Sequence, residues 1–176
     1  MIRRLILVLL LTALSAGTAL AQPLDGVPGY VDFGDLAGVT GAEPAVEISL
    51  GQALLSFISA AAREEDPELA DALGRLRSIR LNVFQLDADS LPNARKRAGE
   101  IARRLEQDFW EPAVSVRSED STIHMYMKSE GDRVAGMTVM MVGQDGEAVF
   151  MNIVGEIDPA QLGRVAARFG VDLNHR

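Results

Sequence analysis

Two histidines and seven methionines are the side chains from which this cysteine-free sequence could assemble a soft or titratable site. His124 sits in a stretch where Ile123, Met125 and Met127 alternate with His124, Tyr126 and Lys128, and His175 is the penultimate residue. General acid–base or nucleophilic chemistry needs a placed partner for the imidazole. The sequence holds no Gly-x-Ser-x-Gly elbow, no His-Glu-x-x-His pair, no phosphate-cradling loop and no dinucleotide fingerprint. His124 therefore reads as a surface histidine on a strand. No residue is assigned to catalysis, to a cofactor or to a metal.

The methionines carry the sharper alternative. Apart from Met1, they are Met125, Met127, Met137, Met140, Met141 and Met151, all within one short region. Thioethers are soft ligands suited to Cu(I), and an exported protein without thiols could bind copper through Met and His. Alternation, however, sets Met125 and Met127 on the face opposite His124, and methionine is also an adaptable filler of cores. Packing is the preferred reading and copper binding the second. An enzyme whose site is assembled from scattered residues is the third. The acids Glu64, Glu65, Asp66, Glu119 and Asp120 fall at loop or cap positions and form no calcium-loop pattern. Arg95, Lys96, Arg97, Arg103 and Arg104 cluster on one helix, as a solvated face or as a local patch for an acidic partner.

The lack of cysteine excludes disulfides, thiolate metal sites and a lipid anchor on cysteine. Seventeen basic and 25 acidic residues give a formal charge of −8, which argues against nucleic acid as a partner. Residues 1–21 have the form of a signal peptide. Arg3 and Arg4 precede the apolar run Leu5–Leu11, and Ala19-Leu20-Ala21 supplies the small residues of a cleavage site. That run is shorter than the roughly 20 residues a membrane span requires. Removing the leader takes away both arginines and leaves a charge of −10 on the chain from Gln22. The expected product is periplasmic or secreted, with no stable membrane span.

Residues 22–44 are rich in Gly and Pro and read as an irregular lead-in, in which Tyr30–Phe33 could dock as a short strand or aromatic clasp. Residues 45–170 read as one domain, with 171–176 as a tail. Val46, Ile48 and Leu50 alternate with polar residues as a strand does. A helix follows from Gly51, and Asp66-Pro67-Glu68 restarts a second, with an acid at the cap and proline at the first turn. Ile79–Leu86 reads as a strand and Pro92–Phe109 as the longest helix, buried along Ala94, Ala98, Ile101, Ala102, Leu105 and Phe109. Four strands follow at 113–117, 123–128, 134–142 and 148–157, joined by short polar turns. Asp158-Pro159 starts a last helix with Leu162, Val165, Ala166 and Phe169 on one side.

This order predicts an α+β fold, with a mixed sheet of about six strands and helices mainly on one face. With Val46, Leu81, Val114, Met125, Val139 and Ile153 taken as inward, alternation turns Arg80, Asn82, Phe84, Ser115, Arg117, His124, Tyr126, Thr138, Met140 and Asn152 outward. Arg80, Phe84, His124, Tyr126, Met140 and Asn152 then mix apolar and polar groups as an interaction face does, for self-association or an unknown protein partner.

Six stretches together resemble the bacterial family called domain of unknown function 4252. They are Val46–Leu50, Leu76–Phe84, Glu111–Val114, Gly131–Val139, Glu147–Gly155 and Asp158–Gly163. The resemblance implies a small exported envelope protein. Some members are lipoproteins, and this chain departs from them in lacking the lipid-accepting cysteine. The family offers no catalytic residue to carry over. The expected function is non-catalytic binding of a protein or a ligand through an open sheet face.

Overall fold

The computed structural model describes residues 24–158 except Glu119. The expected leader, the helix after Asp158 and His175 lie outside the described residues. Helix α1 (Leu36–Thr40) is followed by β1 (Val46–Gly51), α2 (Gln52–Ala62), α3 (Pro67–Gly74), β2 (Leu76–Gln85) and α4 (Leu91–Gln107). Strands β3 (Glu111–Arg117), β4 (Ser121–Glu130), β5 (Arg133–Gly143) and β6 (Glu147–Ile157) complete an α+β fold around one six-stranded sheet.

Short-range signals set the helix starts. The Asp35 carboxylate accepts from the Gly38 N–H at 2.8 Å, and Gly41 ends α1 in the left-handed region. Asp66 caps α3 by accepting from the Leu69 N–H at 3.1 Å, with Pro67 in the first turn as its cap signal implies. Asp87 accepts from the Ser90 N–H at 2.8 Å ahead of α4, and bonds to Ser90 hold its carboxyl below the usual carboxylate range. The far end of α4 closes with the Phe109 N–H on Glu106 at 3.2 Å and the Trp110 N–H on Leu105 at 2.9 Å. This is the paired closure in which a left-handed residue follows the helix. Phe109, at φ 58°, fills the position that glycine usually takes.

The strands lie in the order β1-β2-β6-β5-β4-β3, and every neighbouring pair is antiparallel. The expectation of a mixed sheet is corrected here, and connectivity explains why. Two helices between β1 and β2 return the chain to the end it left, so β2 runs against β1. The single helix α4 does make β3 parallel to β2, but β6, β5 and β4 stand between them.

The main core lies between α4, the lead-in and one face of the sheet. Ala94, Ala98, Ile101, Ala102 and Leu105 of α4 are buried against Phe84, Tyr126, Met140, Val142, Ala148 and Phe150. Phe150 meets Phe84 edge-on at 6.3 Å and Phe33 of the lead-in at 5.8 Å. Three alanines along α4 let the helix backbone approach the sheet closely around these rings.

This burial reverses the assignment of faces made from sequence. Phe84, His124, Tyr126, Met140 and Asn152, expected to point outward, are all 5% exposed or less, and Arg80 is half-buried beside them. Val46, Leu81, Val114, Met125, Val139 and Ile153, expected to point inward, lie on the opposite side. Alternation separates two sets of side chains but does not say which set meets the helices. The aliphatic set looked like the core. The set with aromatic and polar members is covered by α4 and by the lead-in, which Asn152 and Arg80 bind.

Candidate functional site

Most polar groups of the covered face have partners within the chain, the Arg80 Nε and His124 Nδ1 excepted. The Asn152 side chain accepts from the Val31 N–H at 3.0 Å and donates to the Gly29 carbonyl at 2.9 Å and the Met137 carbonyl at 3.1 Å. Arg80 donates to the Tyr30 hydroxyl at 3.2 Å and to the Val31 carbonyl, with its guanidinium 4.7 Å from the Tyr30 ring centroid. Thr138 donates to the Met151 carbonyl at 2.7 Å. From above, Arg97 of α4 donates to the Phe33 carbonyl at 2.6 and 3.1 Å, and Arg104 donates to the Asp32 carbonyl. Residues 29–33 are thus clasped between sheet and helix, with Val31 and Phe33 buried. Two members of the cationic cluster hold backbone carbonyls of their own chain. No motif in the sequence marked that role, because the partner groups are carbonyls more than 60 residues away.

His124 and Tyr126 stand near the end of α4. The Tyr126 hydroxyl donates to the Glu106 carboxylate at 2.8 Å, and its ring stacks near His124 at 6.5 Å between centroids. Burial is the first cause that pushes the Tyr126 hydroxyl up to about 12, with Glu106 adding to it. Burial also lowers the His124 imidazole, helped by the Arg117 charge and opposed by Glu106. The His124 Nδ1 is buried without a hydrogen-bond partner. Met140 is its neighbour on β5, whereas Met125, Met127, Met137, Met141 and Met151 are placed by register on the other face. Among the described residues, no group of three His, Cys, Asp or Glu is placed to hold a metal ion.

The open face is built from three transverse rows that run through all six strands. Following the register from β1 to β3, the first row is Leu50, Ile79, Ile153, Met137, Met127 and Glu111. The second is Ile48, Leu81, Met151, Val139, Met125 and Val114, and the third is Val46, Val83, Val149, Met141, Ile123 and Val116. Glu111, at one corner, is the single charged residue of these rows. The flanks are the most exposed: Val46, Ile48, Val114 and Val116 each keep 37–44% of their surface. Apart from the buried Ile153, the inner positions are partly exposed.

The size of this apolar area can be set from strand geometry. Six strands at about 4.8 Å span about 29 Å, and three outward residues per strand cover about 20 Å along it. The footprint is therefore about 580 Å², at the upper end of the apolar patches that monomeric proteins expose. Thioethers in its middle give it an adaptable surface. By alternation these residues read as core; what leaves them exposed is the clasp on the opposite face, which depends on distances rather than on pattern.

Elsewhere, a cavity of about 270 Å³ lies beside the lead-in, lined by Asp32, Phe33, Glu43, Glu47, Arg80 and Asn82 among others. A second, of about 410 Å³, has Arg75, Arg77 and Arg133 with Glu130 and Glu156 in its wall, and Arg133 pairs with Glu156 at 2.7 Å. Among the described residues no helix is long and apolar enough to cross a membrane.

No curated protein matches the chain. A family model does, over residues 40–165, from the last residue of α1 through all six strands and beyond. That span takes in all three rows of the open face and leaves out most of the lead-in. The chain belongs to the family described as domain of unknown function (DUF4252).

Proposed function

We propose that the protein is an exported, non-catalytic binding protein that works by covering its open sheet face with an apolar partner surface. The observation that carries this reading is the set of three rows, apolar throughout except at Glu111. Leaving about 580 Å² of apolar surface in water forgoes roughly 15 kcal/mol of burial at 25 cal/mol per Å². Folding alone does not recover it, so association is the event that does. The leader-like residues 1–21 support export, and the N-terminus of the exported protein should be Gln22.

The test is a charge placed at the centre of the face. Met151→Lys leaves the covered face untouched and puts an ammonium group among the rows. The unsubstituted protein should either self-associate or bind an environment-sensitive apolar dye, and Met151→Lys should weaken whichever is seen by at least about tenfold. A protein that is monomeric and dye-silent at about 100 µM would overturn the reading.

A further inference from the structure

We infer that the occupant of the open face is a second copy of the same chain, packed sheet against sheet about a twofold axis. This rests on the reading of that face as a binding surface and goes further by naming the partner. Three features select it.

The first is shape. A single helix is about 10–12 Å across, less than half of the roughly 29 Å that six strands span. Residues 159–176 carry one apolar stripe, Leu162, Val165, Ala166 and Phe169, and one helix from them would leave most of the rows uncovered. A second six-stranded face has the matching width, and aligned sheets pack face to face at about 10 Å with their side chains interdigitated.

The second is area. Covering a footprint of about 580 Å² on each copy removes over about 1,100 Å² from water, which clears the roughly 1,000 Å² expected of a specific interface. The third is charge. Each copy carries a formal charge of −8 over the full sequence, so most surfaces would repel their like. The three rows hold only Glu111, at a corner. A twofold axis along the strands sets Glu111 opposite the partner's Leu50, and one across the strands sets it opposite the partner's Val116. Neither sets it against itself. Both axes pass through the centre of the face, between Met151 and Val139, which are paired in register.

The experiment is sedimentation of the purified protein and of two variants, Val139→Lys and Val139→Glu. The unsubstituted protein should sediment at twice the chain mass. Each variant should sediment at the chain mass, with dimer affinity lowered by at least about 100-fold, because like charges meet near the axis. An equimolar mixture of the two variants should recover dimer. Far-ultraviolet circular dichroism equal to that of the parent shows that loss of dimer is not loss of fold. A monomeric parent that binds the apolar dye would overturn the second-copy occupant and leave the binding face standing. A monomeric, dye-silent parent overturns both. A dimer that both variants retain, or a mixture that stays monomeric, overturns the face-to-face arrangement.

Discussion

Asn152 on β6 holds Val31 of the lead-in as an adjoining strand would, through a 3.0 Å bond from the Val31 N–H to its side-chain oxygen. The same amide reaches the carbonyls of Gly29 and Met137. Asn152→Leu keeps the volume and leaves these buried groups without partners. It should cost about 3 kcal/mol in urea unfolding. Amide exchange at Val31 should accelerate far more than exchange in α4, because the clasp opens before the helix does.

Close approach at the clasp has its own test. A methyl group at Gly136 would stand 2.5 Å from the Gly29 carbonyl oxygen and 2.8 Å from its carbon. Backbone, not a movable side chain, blocks it. Gly136→Ala should therefore lift the lead-in off β5 and destabilise the protein by about 2 kcal/mol or more. Limited proteolysis should then cut near residues 24–34, a segment expected to resist cleavage in the parent.

Phe109 offers a change in the opposite direction. At φ 58° and 86% exposed, its ring is strained by the backbone and supported by little packing. Trp110 and Leu105, which carry the bonded closure of α4, are buried and would stay in place. Phe109→Gly should raise stability by about 1 kcal/mol, or about 3 °C in Tm. A lower Tm would mean that the exposed ring is held by contacts stronger than its strain.

Two neighbouring groups make stability depend on pH at both ends of the scale. The folded state lowers His124 below its ordinary 6.5, so below that pH the unfolded chain binds the proton more readily and stability falls with acidification. His124→Gln should flatten that acid limb in a series of thermal melts. Tyr126 is raised from 10.0 to about 12, so its contribution is complete below pH 10 and is lost as pH rises from 10 to 12. Tyr126→Phe should remove the alkaline limb.

Much of this molecule was legible in the sequence, and the part that was not has a definite physical cause. Asp66-Pro67, the alanine-lined stripe of α4 and the alternation of β4 through β6 are local signals, and each produced the element it implied, except that Phe109, read as the buried end of that stripe, lies past the helix and is exposed. The run Tyr30–Phe33 was readable as a docking segment, although no strand forms there: its partners are the side chains of Asn152 and Arg80. The direction of each sheet face was not local. Val139 and Met140 are both apolar, and only the position of α4 and the clasp decides which one is covered. Strand order was equally out of reach, since a helix between two strands fixes their relative sense and not the number of strands placed between them.

The strand order carries a consequence for how the protein is made. Among the described strands β6 is the last to leave the ribosome, yet it is the one that joins β2 to β5. Until residues 147–157 are available, the chain holds two fragments of sheet with no bond between them: β1 with β2, and β3 with β4 and β5. Completion is then a single late insertion between two waiting edges, with the sequence-distant contacts that slow folding. A nascent chain of this topology keeps its sheet in two parts until residues 147–157 have been made.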